Sequence, residues 1–161
     1  MNRTLLGVAP VAAVLAIAGC GGHGSSSSRA AASGAKSAGA PTAITIAHGK
    51  VGAYLADSKG RALYLFESDK GSVSTCNSAC ASIWPPLTSA AAVAPAGGVA
   101  RSLVGTTKRT DGTTEVTYHD HPLYYYVGDT TAGSTTGQGL DQFGAKWYLV
   151  APNGSKIDND G

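Results

Sequence analysis

The chain has 161 residues, 43% of them apolar and only 14% charged, with 12 Lys and Arg against 10 Asp and Glu. Its length suits one modest domain plus a tether, and a net charge of +2 without a basic cluster argues against nucleic-acid partners. His23, His48 and the scattered Lys50, Lys59, Arg61, Lys108 and Arg109 read as solvated turn and strand-edge residues.

The first segment is an export signal. Arg3 supplies a basic start, Leu5 to Gly19 is an apolar run of 15 residues, and Gly19-Cys20 ends it. A bilayer core needs about 20 apolar residues, so this run is short for a span and has the order of a secretory signal. A cysteine directly after small residues is the bacterial lipobox pattern. The expectation is a lipoprotein signal peptide over 1–19 and a diacylated Cys20 as the membrane anchor, on the extracytoplasmic face. Acyl chains contribute roughly 0.8 kcal/mol per buried CH₂, enough to hold a protein on a membrane surface. Residues 20–41 are almost entirely Gly, Ala and Ser. That composition cannot offset ordering entropy, so it predicts a flexible tether with a coil reach on the order of 25 Å.

From residue 42 to 161 the pattern turns β-like. Ile44-Thr45-Ile46 alternates as a strand, as does the run from Lys50 to Ala56. The turn Asp57-Ser58-Lys59-Gly60 then leads to Ala62-Leu63-Tyr64-Leu65-Phe66, giving a predicted hairpin. Residues 76–83, and less clearly 90–94, have the composition of a helical turn. Ser102 to Thr106, Asp111-Gly112 and Thr113 to Tyr118 predict a second hairpin. His119-Asp120-His121-Pro122 is the next turn, and Leu123 to Val127 the returning strand. Residues 129–139 are a Gly/Ser/Thr loop, followed by a last strand, Trp147 to Val150.

An internal repeat organises these elements. Leu63-Tyr64-Leu65-Phe66-Glu67-Ser68-Asp69 recurs 60 residues later as Leu123-Tyr124-Tyr125-Tyr126-Val127-Gly128-Asp129. Each copy then runs through a loop to a tryptophan, Trp84 or Trp147. The predicted fold is mainly β, with two pseudo-equivalent hairpin-based repeats (about 50–89 and 112–154) in one compact domain. By the strand period of two, Tyr64 and Phe66 share one face, as do Tyr124 and Tyr126.

The doubled Y-x-(F/Y)-x-x-D, Cys76-x₃-Cys80 before Trp84-Pro85-Pro86, and the closing Trp147-Tyr148-Leu149-Val150 resemble the bacterial secreted-repeat lipoproteins carrying the Yx(FWY)xxD motif. The resemblance runs from about Lys50 to Gly154. It implies a duplicated, exported, commonly lipid-anchored protein and imports no reaction, because the family has no known function. The second copy departs from the first in lacking the cysteine pair.

Three groups of residues are candidates for chemistry. Asp69 and Asp129 close the repeated strands, where an aspartate ordinarily accepts backbone N–H bonds and fixes the loop. The sharper alternative pairs them across a pseudo-twofold axis as a cation site or an acid and base. Cys76 and Cys80, the only thiols left once Cys20 is acylated, are expected to form a disulfide in an oxidising compartment. The alternative is an envelope copper or redox site using Cys76 and Cys80 with His119 or His121, since soft sulfur and imidazole suit copper. His119 and His121 themselves fall where a solvated turn is expected. No hydrolase, zincin, nucleotide-loop or dinucleotide signature appears. The expectation is therefore a non-enzymatic binding or scaffold protein without a cofactor, whose partner besides the membrane the sequence does not name.

Overall fold

The computed structural model describes residues 42–158; the expected signal peptide, Cys20 and the tether lie outside them. Each copy begins with a β-hairpin. In the first, β1 (Ala43–Gly49) pairs antiparallel with β2 (Gly52–Asp57). A short β3 (Tyr64–Phe66), a five-residue helix α1 (Ala79–Ile83) and β4 (Ala94–Pro95) follow. The second copy has β5 (Val104–Lys108), β6 (Thr114–Tyr118), β7 (His121–Pro122), β8 (Asp141–Gln142) and β9 (Ala145–Leu149). They form three three-stranded sheets, ordered β2-β1-β4, β3-β9-β8 and β5-β6-β7. The fold is mainly β and duplicated, as the pattern predicts.

The two copies are interlocked rather than set side by side. β9 of the second copy pairs with β3 of the first, Phe66 opposite Trp147 and Tyr64 opposite Leu149. Reciprocally, the stretch after Trp84 bonds to the second copy: Tyr125 N–H donates to the Pro85 carbonyl (2.8 Å) and Leu87 N–H to the Leu123 carbonyl (2.7 Å). At the centre, Tyr64 and Tyr124 exchange both backbone bonds, each 2.9 Å. The hairpins dock in matching fashion, Leu55 N–H on the Val150 carbonyl and Val116 N–H on the Leu87 carbonyl, both 2.8 Å.

Three expected elements differ. The predicted hairpin of 50–56 with 62–66 is not formed as a ladder, because β2 takes β1 as its partner and β3 takes β9, leaving an isolated Ala56–Ala62 bridge across the 57–60 turn. Leu123 to Val127 is not a continuous strand; only Tyr124 makes ladder-type bridges, to Tyr64 and Pro86. The cause is chemical, because the facing Pro85 and Pro86 have no N–H to donate. Residues 90–94 form no helix, and Ala94 instead starts β4, which runs parallel to β1.

Alternation along the motif strands separates two cores. Leu65 faces an aliphatic cluster with Ile44, Leu55, Leu63, Val116 and Leu123. Tyr64, Phe66, Trp84, Tyr124 and Trp147 face the other way, into an aromatic cluster with the cysteines. Here four rings stack in the order Phe66, Trp147, Trp84, Tyr126, with centroids 4.1, 4.0 and 4.4 Å apart. Tyr64 meets Trp84 edge-on and Tyr124 meets Trp147 likewise, at 5.3 and 5.1 Å. Such pairs contribute about 0.5–1.5 kcal/mol each beyond burial. Both indole N–H groups end on one residue, Trp84 on Gln142 Oε1 (2.8 Å) and Trp147 on the Gln142 carbonyl (3.1 Å).

Candidate functional site

The motif tyrosines are buried by the period of β3 and its counterpart, with their hydroxyls emerging at the two motif loops. There they exchange partners between copies. Tyr64 donates to Asp129 Oδ2 (2.5 Å) and Tyr124 to Asp69 Oδ2 (2.8 Å). The other oxygen of each aspartate holds its own loop. Asp69 Oδ1 accepts from Thr75 N–H (2.7 Å) and Thr75 Oγ1 (2.9 Å). Asp129 Oδ1 accepts from Thr136 N–H (2.8 Å), Thr136 Oγ1 (2.7 Å) and Ser134 Oγ (3.0 Å). Burial first, then the facing carboxylate, raises the phenol pKa of Tyr64 far above its ordinary value, so it remains a donor. Burial likewise raises the Asp69 carboxyl, against the bonds from Thr75 and Tyr124. Each carboxylate is occupied in bracing a loop to the other copy.

Behind Asp69 lies a polar cluster that the sequence pattern conceals. Arg109, expected as a solvated charge, is buried, with its side chain 1% exposed, and meets a fully buried Glu115 at 2.6 Å. It also donates to Ser74 Oγ (2.7 Å) and to the Cys76 carbonyl (2.6 Å). The hydroxyls of Ser74 and Tyr124 lie 2.6 Å apart. Since the phenol proton goes to Asp69, the bonds run in relay from Arg109 through Ser74 and Tyr124 to Asp69. Burial pushes the Glu115 carboxyl up to about 7 although Arg109 opposes it. Among the described residues Glu115 Oε1 and Arg109 Nε have no hydrogen-bond partner, Nε lying 3.6 Å from Asp111 Oδ2 as an ion pair. The signal that could have found Glu115 is the repeat itself. Val116 takes the hairpin place of Leu55, so Glu115 stands where the first copy has the buried Tyr54.

The loop after Asp69 carries the Cys76–Cys80 disulfide, with Cα atoms 5.2 Å apart. Its sulfurs are therefore bonded to each other. Where Trp84 N–H donates to the Cys80 carbonyl, Trp147 N–H donates to that of Leu140, so Leu140 replaces Cys80 in the second copy. His119 and Asp120 form the two-residue β6–β7 turn, both with positive φ (50° and 64°). His121 follows at the start of β7, its ring 6.4 Å from that of His119. Burial, then the His119 charge, lowers the His121 pKa. Among the described residues no three His, Cys, Asp or Glu side chains are grouped to hold a metal ion.

Each motif aspartate also borders a small hollow, of about 230 Å³ at Asp129 and about 240 Å³ at Asp69. The two are built from repeat-equivalent positions: Arg61 and His121, Leu65 and Tyr125, Phe66 and Tyr126. At Asp129, Arg61 lies 3.8 Å over the Tyr125 ring and pairs with Asp57 at 2.9 Å. At Asp69, Lys156 sits 4.4 Å over Tyr148 and pairs with Glu67 at 2.7 Å. The two aspartates thus line separate hollows. The geometry gives two loop anchors rather than one two-carboxylate centre.

A family described as a secreted repeat of unknown function matches residues 45–88 and 105–151. The chain belongs to that family. The two matches begin within the opening strands of the two hairpins and end near the docking residues Leu87 and Val150, so this secreted repeat is a tandem of two family units. Membership makes it an extracytoplasmic protein. No curated protein and no solved structure gives a significant match.

Proposed function

We infer that this secreted repeat is a non-enzymatic binding or scaffold protein of the cell envelope, anchored to the membrane through an acylated Cys20. One observation carries the non-enzymatic part. The residues that define the motif, Tyr64, Asp129, Tyr124 and Asp69, are bonded to one another across the copies. A catalytic carboxylate needs a free oxygen for a substrate proton or a reacting atom, whereas both oxygens of each aspartate here accept bonds from the opposite tyrosine and from their own loop. The anchor is supported by the lipobox at Cys20, and among the described residues no helix is long and apolar enough to cross a membrane.

The test is the mass of the N-terminal peptide from membrane-extracted protein. Cys20 as the first residue with acyl chains on sulfur is the expected result, together with partition into detergent. A protein that begins at another residue and stays in the aqueous phase would overturn the anchor. For the scaffold role, Tyr64→Phe and Asp129→Ala should lower stability while any envelope phenotype follows the amount of folded protein. Full folding with loss of phenotype would move the motif from scaffold to active group.

A further inference from the structure

Four large apolar side chains are exposed among the described residues: Val73, Ile83, Val127 and Phe143, at 61, 37, 49 and 49%. Three of them, Ile83, Val127 and Phe143, line one shallow depression of about 480 Å³ together with Tyr126. They come from separate parts of the chain, the end of α1, the loop after the second motif strand and the β8–β9 turn. Single exposed apolar residues are ordinary, whereas a convergent patch marks an interaction surface.

Phe143 is unusual on its own account. It and Gly144 form the two-residue turn between β8 and β9, with φ of 59° and 89°. Both positions need positive φ, which Asn, Asp and Gly adopt readily and an aromatic residue does not. An aromatic ring is thus displayed at a turn tip where local conformation argues for a small polar residue.

We propose that this patch dips into the interface of the bilayer that holds the Cys20 anchor, with Phe143, Val127 and Ile83 as the inserting side chains. This rests on the anchored reading above. Continuity of the surface supports the choice of a bilayer. Tyr126 and Val127 are shared with the hollow at Arg61 and Tyr125. Arg61 and Tyr125 in turn border the recess containing Lys59 and Thr42, where the described chain begins. The chain leading back to Cys20 therefore leaves from the surface that continues into the patch. Only 21 residues intervene between Cys20 and Thr42, and a coil of that length would reach on the order of 25 Å, within contact distance of the membrane. An apolar tip with aromatic rings, with Arg61 in the adjoining hollow and Lys59 in the recess beyond it, matches an interface of acyl chains below anionic headgroups.

The experiment uses the full-length processed protein and vesicles of phosphatidylglycerol and phosphatidylethanolamine with brominated acyl chains. Trp84 and Trp147 are fully buried, so Phe143→Trp adds one exposed indole, and Val73→Trp adds one outside the patch as control. The expected result is a blue shift and at least twofold stronger bromine quenching for Phe143→Trp than for Val73→Trp, with both variants sedimenting with vesicles. Sedimentation with equal quenching overturns the patch and leaves the anchor. A blue shift without bromine quenching means that protein covers the patch, a second copy or another partner, and also overturns it. Failure of the wild-type chain to sediment overturns both readings.

Discussion

The two motif aspartates share a tyrosine from the opposite copy and a threonine N–H and hydroxyl from their own loop, in settings built by different means. The loop after Asp69 is closed by a disulfide and backed by the buried Arg109–Glu115 pair. The loop after Asp129 has neither and depends on close packing and backbone bonds. Gly137 sits where a Cβ would lie 2.8 Å from Trp84 Cη2 and 3.0 Å from Tyr64 Cζ. Gln138 bridges the Ile157 carbonyl (2.5 Å) and Leu149 N–H (2.8 Å), and Gly133 N–H reaches the Gly60 carbonyl of the β2–β3 turn (2.9 Å). The lesson is that the tyrosine–aspartate brace was kept through duplication while its supports diverged.

That contrast can be broken most sharply at Arg109. Arg109→Ala leaves Glu115 buried without its partner and should cost about 3–5 kcal/mol in urea unfolding. If the two sides are supported independently, amide exchange should rise around residues 69–80 and stay protected around 129–139. Next in size are the braces themselves. Asp129→Ala and Asp69→Ala should each cost about 2–3 kcal/mol, since a buried phenol and loop donors lose their acceptor, with Asn milder. Double-mutant cycles sharpen the point. Tyr64→Phe with Asp129→Ala should couple by about 1 kcal/mol, and Tyr64→Phe with Asp69→Ala should be additive. Coupling within a copy instead of between copies would refute the exchange.

Removing the disulfide by Cys76→Ser and Cys80→Ser should cost about 2 kcal/mol for so short a loop, with calorimetry as the measure. Smallest per pH unit, though it accumulates across the range, is a slope from Glu115. Its carboxyl titrates at about 7 in the folded chain against an ordinary 4.5. The folded state therefore binds the extra proton between these values. Its stabilising contribution is complete below 4.5 and is lost as pH rises through about 7, by at most about 1.4 kcal/mol per unit. The raised Asp69 carboxyl acts with the same sign. Stability measured across this range should show the slope in the wild type and a flatter profile in Glu115→Gln.

The duplication, the second hairpin and the inward aromatic faces were legible because each leaves a local mark: the 60-residue offset, turn residues, and the period of two. The first predicted hairpin was not, because β2 turns back onto β1 rather than onto β3. Partner exchange leaves no such mark. Nothing in Tyr64 or Asp69 indicates that each binds the opposite copy, since the pairing arises only when β9 crosses to β3. Arg109 was misjudged for a related reason. A charged residue beside a turn is normally solvated, and only the loop folding over it, with Ser74 and the Cys76 carbonyl as acceptors, makes burial tolerable. Glu115 could have been suspected because it takes the place of the buried Tyr54 of the other copy.

Because β3 takes its sheet partner from the far end of the chain, the amino-terminal copy has no complete core of its own. During export the chain emerges with Tyr64 and Trp84 long before Trp147, so the early half must wait, unfolded, for its complement. A fragment ending at Val99 should show no amide protection alone and gain it on mixing with the remainder. By the same logic, a single unit of this secreted repeat would need a second copy to finish its sheet.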